Sequence, residues 1–217
     1  MPRKAKFTKD DVIDTAFKLA RKHGWAGLSV NAVAEQLGCS SMPIYSHFKN
    51  MEQLQDAVVI KGWGLLEEYE VKEYTGDRWV DQAIGYVRFA KKENQLFRCL
   101  IDGRNLKLHR KMLQQNWKNL TAQLTDYDGF KGLSDALIIK IRYSRYMLSY
   151  GIAIAVSMGH SEIINSNKLI SSYLTSVSHA LLLGYPQTPQ LDDVTGMSLK
   201  EYHEKYYNKL KDEEADD

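Results

Sequence analysis

The stretch from residue 28 to residue 48 constrains this chain more than any other, because it predicts two short helices joined by a tight corner. Ser29 precedes the first helix, where its hydroxyl can accept a hydrogen bond from an orphan backbone N–H of the first turn. Gly38 follows that helix, where a residue that tolerates positive φ is needed. Between them the apolar residues recur at i, i+3, i+4 and i+7, which is one face of a helix: Val30, Val33, Ala34 and Leu37.

The second helix of the pair is short and begins at a serine. Ser40 or Ser41 can cap it, and Pro43 then lies in the first turn, where its missing N–H has no intrahelical partner to lose. Ile44 and Phe48 are four residues apart and predict an inward-facing side. Together the two helices form a helix-turn-helix pattern whose second helix is small enough to lie in a DNA major groove.

Taken with its flanks, this pattern resembles the N-terminal domain of the TetR/AcrR family of bacterial repressors. The resemblance rests on residues 16–24, on LSVNAVAEQLG from Leu28 and on IYSHFKNMEQL from Ile44, and it covers roughly residues 7–60. The chain departs from the family at Met42, where glycine or proline is common, and at Met51, where lysine is common. The resemblance implies an all-α protein, with an N-terminal three-helix helix-turn-helix domain and a C-terminal helical domain for ligand binding and dimerisation.

Helical patterns continue through the rest of the chain. Thr8 and Asp11 have the spacing of a capping box that opens a first helix, and Asn50 can cap a fourth. A last helix is predicted over 198–211, and no strand pattern survives inspection. The predicted organisation has three parts: a DNA-binding domain over 1–50, a linker helix over 50–70, and a helical regulatory and dimerisation domain over 71–217.

Two details of the predicted helices bear on the body of the protein. Gly62 and Gly64 weaken the linker helix around Trp63, since each glycine costs about 1 kcal/mol relative to alanine. They mark either a bend or a place where Trp63 packs closely. Further on, Leu106 is predicted to belong to the inner stripe of a helix that ends near Leu124.

The helix-turn-helix supplies most of the candidate DNA contacts. Four side chains can approach base edges by position: Ser41, Met42, Tyr45 and Ser46. Methionine offers apolar contact to a thymine methyl, and serine is a permissive hydrogen bonder. Tyr45 and His47 match positions that usually touch sugar-phosphate in the resembled family; packing on the fourth helix is the alternative for Tyr45, and a surface cap for Met42. The full predicted set is Lys4, Lys6, Lys9, Ser29, Asn31, Ser40, Ser41, Met42, Tyr45, Ser46, His47 and Lys49.

The distribution of charge agrees with this assignment. Residues 1–50 carry eight Lys/Arg and four Asp/Glu, whereas the remainder carries 21 and 23, and the whole chain has a formal net charge of +2. The basic excess therefore lies where phosphate contact requires it. Because one helix-turn-helix contacts few bases, we expect a homodimer on an inverted-repeat operator in double-stranded DNA.

The dimer surface is predicted on two charge-poor helices that begin at Ser134 and at Asn165 or Ser166. Gly151 and Ala155 permit close approach of helices, and apolar residues line one face of the later helix. The predicted interface residues are Gly151, Ala155, Ile170, Leu174, Val177 and Leu181. The alternative is that both helices are buried within one subunit.

A small-molecule effector is a further implication of the resemblance, since the family body usually holds a pocket whose filling moves the heads apart. Aromatic residues that suit a ligand with few polar groups, or equally an ordinary core, are Tyr86, Phe89, Phe97, Trp117, Tyr143, Tyr146 and Tyr150. Arg142 and Arg145 share a helix and can meet an anion or be solvated. A cavity lined by these tyrosines favours a ligand-gated repressor; a closed, packed body favours an effector-independent DNA-binding or protein-interaction module.

The sequence gives little support for a secreted protein, a membrane protein, an enzyme or a metal-binding protein. The two cysteines make no disulfide framework and fit a reducing cytosol, and no secretory signal or membrane span is expected, which predicts a cytoplasmic protein. Ser46 and Lys49 match S-x-x-K, but the motifs that accompany it in acyl enzymes are missing. Nucleotide-binding and hydrolase motifs are missing too, and the six histidines are scattered. We therefore expect no enzyme activity, no cofactor and no metal.

Overall fold

The computed structural model describes residues 7–160, 166–187 and Glu201, and throughout these residues the regular structure is helical, without a strand. Three helices form a small N-terminal unit, here called the head: α1 (Lys9–His23), α2 (Val30–Leu37) and α3 (Met42–Tyr45). The helices that follow form the body: α4 (Met51–Glu70), α5 (Arg78–Lys92), α6 (Asn94–Ile101), α7 (Leu106–Ala122), α8 (Asp135–Ser157) and α9 (Asn167–Gly184). The all-α prediction is thereby confirmed.

The helix starts follow from local capping. Thr8 and Asp11 form both hydrogen bonds of the capping box at the start of α1. Asn50 caps α4 by accepting from the backbone N–H of Gln53, at 2.9 Å. Ser134 and Ser166 cap α8 and α9 in the same way. These boundaries were predicted from the sequence because each depends on only a few adjacent residues.

The head has its own apolar core, formed where the three helices meet. It includes Val12, Ala16, Phe17, Ala20, Leu28, Val33, Ile44 and Phe48, all buried. Helix α1 lies at the base of the head and packs against α4 and also against α6. The head is therefore held to the body by two helices of the body and not by the linker helix alone.

Helix α5 is the centre of the body. Every residue from 79 to 87 is buried, and the helix packs against α4, α8 and α9. It crosses the end of α4 at Gly85, where a Cβ atom would lie 2.1 Å from the carbonyl oxygen of Tyr69. Only glycine allows the two backbones to come this close, so the crossing fixes the far end of α4.

Two sequence expectations for the body need comment. Helix α4 runs unbroken through Gly62 and Gly64, and a Cβ atom at Gly62 would lie 2.8 Å from Leu100 of α6. Close packing, and not a bend, therefore explains the glycine at position 62. The group that packs there is Leu100 of α6, whereas the sequence suggested Trp63. The prediction for Leu106 was wrong: its side chain is exposed, because it is the first residue of α7 and faces away from the core. The last predicted helix, 198–211, lies outside the described residues except for Glu201.

Candidate nucleic-acid interface

Helix α3 presents two large side chains to solvent on the outer face of the head. Met42 is 76% exposed and Tyr45 is 54% exposed, while Ile44 and Phe48 on the opposite side are buried in the head core. Pro43 lies in the first turn of the helix, as the sequence predicted. The buried pair thus fixes the orientation of the helix, and Met42 and Tyr45 project outward from it.

The serines around α3 surround these two side chains with polar groups. Ser40 and Ser46 are exposed and Ser41 is half-buried. Ser41 occupies the N-cap position but makes no side-chain capping hydrogen bond, and Ser46 donates its hydroxyl to the carbonyl of Pro43 at 2.7 Å. Ser46 thus keeps its lone pairs for an outside donor.

The N-terminus of α2 provides a second group of exposed polar atoms. The Ser29 hydroxyl accepts from the backbone N–H of Ala32 at 3.1 Å, and both Ser29 and Asn31 are exposed. The partial positive charge at a helix N-terminus and its free N–H groups favour a phosphate. These two residues are therefore suited to contact the DNA backbone.

Two lysines of the predicted set flank the recognition helix. The Lys9 ammonium lies 5.4 Å from the centre of the Phe48 ring, and Lys49 is exposed directly after Phe48. His47 is half-buried, and its Nε2 lies 3.1 Å from the carbonyl oxygen of Phe7, which ties the start of the chain to this region. The predicted contacts Lys4 and Lys6 lie outside the described residues.

Arg21 links the head to the body, and no local sequence pattern predicts this contact. It binds Glu93, at the corner between α5 and α6, through two hydrogen bonds, and the hydroxyl of Tyr69 donates to the same carboxylate at 3.2 Å. Burial raises the pKa of Glu93, but the Arg21 guanidinium outweighs burial and lowers it below the ordinary value. The ion pair therefore joins α1 of the head to the body, and Arg21 is occupied there.

The body contains a small cavity between α4, α5, α7 and α8. Its volume is roughly 30 Å³, enough for one or two water molecules. Of the seven predicted ligand residues, Tyr86, Trp117 and Tyr146 line it. Phe89 and Phe97 are fully buried elsewhere in the core, with ring centres 6.4 Å apart. Tyr143 is exposed on α8, and Tyr150 packs beside Tyr146 without lining the cavity.

Charged side chains also line this cavity, which the sequence did not reveal. Arg142 and Arg145 of α8 are both buried, so the solvated alternative for them was wrong. Glu70, the last residue of α4, is buried beside them and accepts a hydrogen bond from Asn116 at 2.9 Å. Loss of solvent raises the pKa of Glu70 to about 8. No local pattern could reveal this cluster, since its members come from α4, α7 and α8.

The exposed apolar surface of the body is concentrated on α8 and α9. Its members are Tyr143, Met147, Met158, Leu169, Tyr173 and Leu183. Gly151 and Ala155 continue the α8 stripe at a spacing of four residues, and Val177 follows Tyr173 at the same spacing.

Two of the predicted interface residues do not belong to this surface. Ile170 and Leu174 are 0% and 1% exposed, because that side of α9 packs inside the subunit. Their assignment to a dimer face was therefore wrong, while Val177 and Leu181 are half-buried.

Two further kinds of feature, a metal-binding cluster and a membrane-spanning helix, are absent from the part of the chain that the structure describes. No three His, Cys, Asp or Glu side chains come together there in a way that could hold a metal ion. None of its helices is both long and apolar enough to cross a membrane.

Comparison with known proteins bears first on the head. Residues 12–58 match the family model described as bacterial regulatory proteins, tetR family. An uncharacterized HTH-type transcriptional regulator from Mycobacterium tuberculosis is 34% identical over 59 residues, which is 27% of this chain and 27% of that protein. The aligned region thus spans about a quarter of the relative.

Solved structures are similar over most of the chain. A protein with unknown function from Rhodococcus sp. RHA1 has a TM-score of 0.59 and 19% identity, over 85% of this chain and 98% of that chain. A protein from Rhodococcus sp., described as a TetR-family transcriptional regulator, has a TM-score of 0.58 and 16% identity, over 80% and 97%. At these identities the likeness concerns the fold: a helix-turn-helix head followed by a helical body.

Proposed function

We propose that this chain, a member of the tetR family of bacterial regulatory proteins through its N-terminal domain, is a dimeric transcriptional repressor that a small-molecule effector releases from DNA. The observation that carries the proposal is the outward projection of Met42 and Tyr45 from a helix whose other side is buried. Large apolar side chains that are exposed on this small basic head contribute no burial free energy in the free protein. In a major groove they contact base edges.

DNA binding then follows from the layout of the head. Helix α3 enters the major groove, and the N-terminus of α2 faces a phosphate together with Lys9 and Lys49. Base contacts from Met42 and Tyr45 select the sequence, and the lysines supply affinity that depends on salt. The protein acts in the cytoplasm, where the chromosome is accessible.

Dimerisation is supported by the apolar surface of α8 and α9. Two copies that pair through Tyr143, Met147 and Tyr173 would bury this surface and present two recognition helices to one inverted repeat. The mass in solution should then be about twice the 24.9 kDa of one chain. A monomer at micromolar concentration would argue against the dimeric operator complex.

Effector release is supported by the position of the cavity. Trp63 and Glu70 of α4 line it, and α4 is also the helix that leads into the head. A ligand that widens the cavity would shift α4 and with it the distance between the two recognition helices, which must span about 34–36 Å to fit successive major grooves.

The second candidate is a DNA-binding protein without an effector, which the small volume of the cavity favours. Addition of ligands to the DNA complex separates the two candidates, since only the effector-gated protein would dissociate.

The decisive experiment measures binding of the purified protein to DNA from upstream of its own gene and to random DNA of equal length. With six to ten phosphate contacts, affinity should fall by roughly 10³–10⁵ between 50 and 200 mM salt, and the upstream DNA should be preferred. Equal affinity for both DNAs, or a shallow dependence on salt, would refute the proposal.

A further inference from the structure

The cavity of the body contains more buried hydrogen-bond donors than the protein satisfies. Arg145 Nε, Trp63 Nε1 and Trp117 Nε1 are buried and have no hydrogen-bond partner in the described structure. One acceptor in the same lining, Asn116 Oδ1, is also without a partner. Because buried polar atoms are nearly always hydrogen-bonded, three donors against one acceptor favour a guest that is rich in acceptor atoms.

The buried positive charge of Arg145 favours a negatively charged ligand. Its guanidinium donates to the backbone carbonyl of Trp79 and to the side-chain oxygen of Gln82, both uncharged acceptors. Burial lowers the pKa of Arg145 to about 9, so it keeps its proton at neutral pH. Glu70 and Asp77 act on it through space, but Asp77 is occupied by hydrogen bonds from Tyr127 and His179. Its guanidinium also lies over the Trp79 ring, 3.6 Å from the ring centre. A buried cation held by neutral oxygens and an aromatic face favours an anion.

Aromatic rings form the remaining walls of the cavity. Tyr146 meets Tyr86 and Trp117 edge to face, with ring centres 6.0 Å apart in each pair, and Trp63 lies on the side of α4. Such aromatic walls suit a planar ring, which can pack against them edge to face or offset.

We propose that the cavity binds a small aromatic carboxylic acid, with the carboxylate on Arg145 and the tryptophan N–H groups and the ring among Tyr86, Trp117 and Tyr146. This names the class of effector and rests on the proposed function. The cavity of roughly 30 Å³ admits water but not a ring, so the acid binds a conformation in which the helices around it have separated. Glu70 lies at the end of α4 that the Gly85 crossing fixes, and Trp63 lies nearer the head, so separation at Trp63 tilts α4 about that end and moves the head.

Glu70 makes the site sensitive to pH. Its carboxyl is mainly neutral below pH 8, but once ionised it repels a bound carboxylate. The other ionisable groups that act on it or share its cavity are Glu67, Tyr86, Arg142, Arg145 and Tyr146. Affinity for the acid should therefore fall about tenfold between pH 7 and pH 9.

Tryptophan fluorescence of the full-length protein tests the site with benzoate and 2-naphthoate as probes. Their carboxamides serve as neutral controls, and acetate as a control without a ring. A carboxylate should bind at least about tenfold more tightly than its carboxamide, which lacks the charge that pairs with Arg145, and than acetate, which lacks the ring. Equal affinity of acid and amide, or no binding of either acid, would overturn the proposal.

Two variants sharpen the test. Arg145→Gln should weaken carboxylate binding by at least about thirtyfold, whereas Arg110→Gln on the exposed side of α7 should not. Because Arg145 also supports α5, Glu70→Gln provides a second variant: it should reduce the loss of affinity between pH 7 and pH 9 to roughly twofold, which is the part that deprotonation of Arg145, with a pKa of about 9, leaves. An unchanged pH profile in Glu70→Gln would overturn the role of this cavity.

The two proposals fail in different ways. If an acid binds with these properties but leaves the DNA complex intact, the site stands and effector gating is wrong. If DNA binding is specific and steeply dependent on salt but neither acid binds, the regulator stands and the ligand class is wrong.

Discussion

On the recognition helix, the apolar side chain of Met42 is exposed, whereas in the body the charged side chain of Arg145 and the ionisable side chain of Glu70 are buried among aromatic rings. Each arrangement is unfavourable in the isolated subunit. Exposed apolar surface gains no burial energy, and a buried charge loses its solvation. Both arrangements agree with the proposed partners: a DNA groove for the head and a ligand for the body.

The largest expected effect concerns the apolar side of the recognition helix. Ile44→Ala should lower the free energy of unfolding by about 2–5 kcal/mol, because it leaves a cavity in the small head core. Thermal or urea denaturation measures the change. Ile60→Ala, at a half-exposed position on α4, should change stability by no more than about 0.5 kcal/mol. Equal effects of the two would mean that α3 is not anchored through Ile44.

The buried acid of the body should make stability depend on pH. Its pKa is about 8 in the folded protein against an ordinary value of 4.5, so the folded state holds a proton that the unfolded chain has lost. The free energy of unfolding should therefore fall as pH rises from about 4.5 to about 8, by an amount on the order of a few kcal/mol, and then level off. Urea denaturation across this range should show a clearly flatter profile for Glu70→Gln. Identical profiles would show that Glu70 is ionised in the folded state.

Two glycines near α4 differ in how much space surrounds them: Gly85 touches the end of α4 where α5 crosses it, and Gly64 faces open space. Gly85→Ala should destabilise the protein by roughly 1–3 kcal/mol, because the new methyl group meets the backbone of Tyr69. Gly64→Ala on the same α4 has open space around it and should stabilise the protein by up to about 1 kcal/mol. Thermal denaturation of both variants measures the contrast, and a harmless Gly85→Ala would mean that the two helices do not cross closely.

The smallest expected effect concerns the basic rim of the head. Lys49→Ala should weaken binding to all DNA sequences alike and reduce the slope of log affinity against log salt by about 1. Lys118→Ala, at an exposed site on α7 of the body, should leave the slope unchanged. Titrations at several salt concentrations measure both, and equal slopes for the two variants would remove Lys49 from the interface.

The head could be predicted from the sequence because its signals are local. A capping box, a glycine and a proline at fixed spacing determine α1 to α3, and Ile44 and Phe48 are four residues apart. The sequence does not show which face of α9 packs inside the subunit and which is exposed. Ile170 and Leu174 form an apolar stripe that would look the same whether it met a second copy or the interior of its own subunit.

The cavity was still less accessible from the sequence. Glu70 and Arg145 are 75 residues apart, and only the packing of α4 and α8 against α5 brings them to one site. Arg145 in isolation is an ordinary helix residue that the sequence cannot distinguish from a solvated one. Its burial depends on tertiary structure, and so do the buried donors without partners on which the proposed ligand rests.

The most direct test of the central claim compares sequence preference in the wild type and in the double variant Met42→Ala/Tyr45→Ala. The preference is the ratio of affinities for the DNA upstream of its own gene and for random DNA at one salt concentration. If these two side chains read the groove, the ratio should fall at least about tenfold, while thermal stability and the salt slope stay as in the wild type. An unchanged ratio in a folded double variant would contradict the claim that α3 reads DNA.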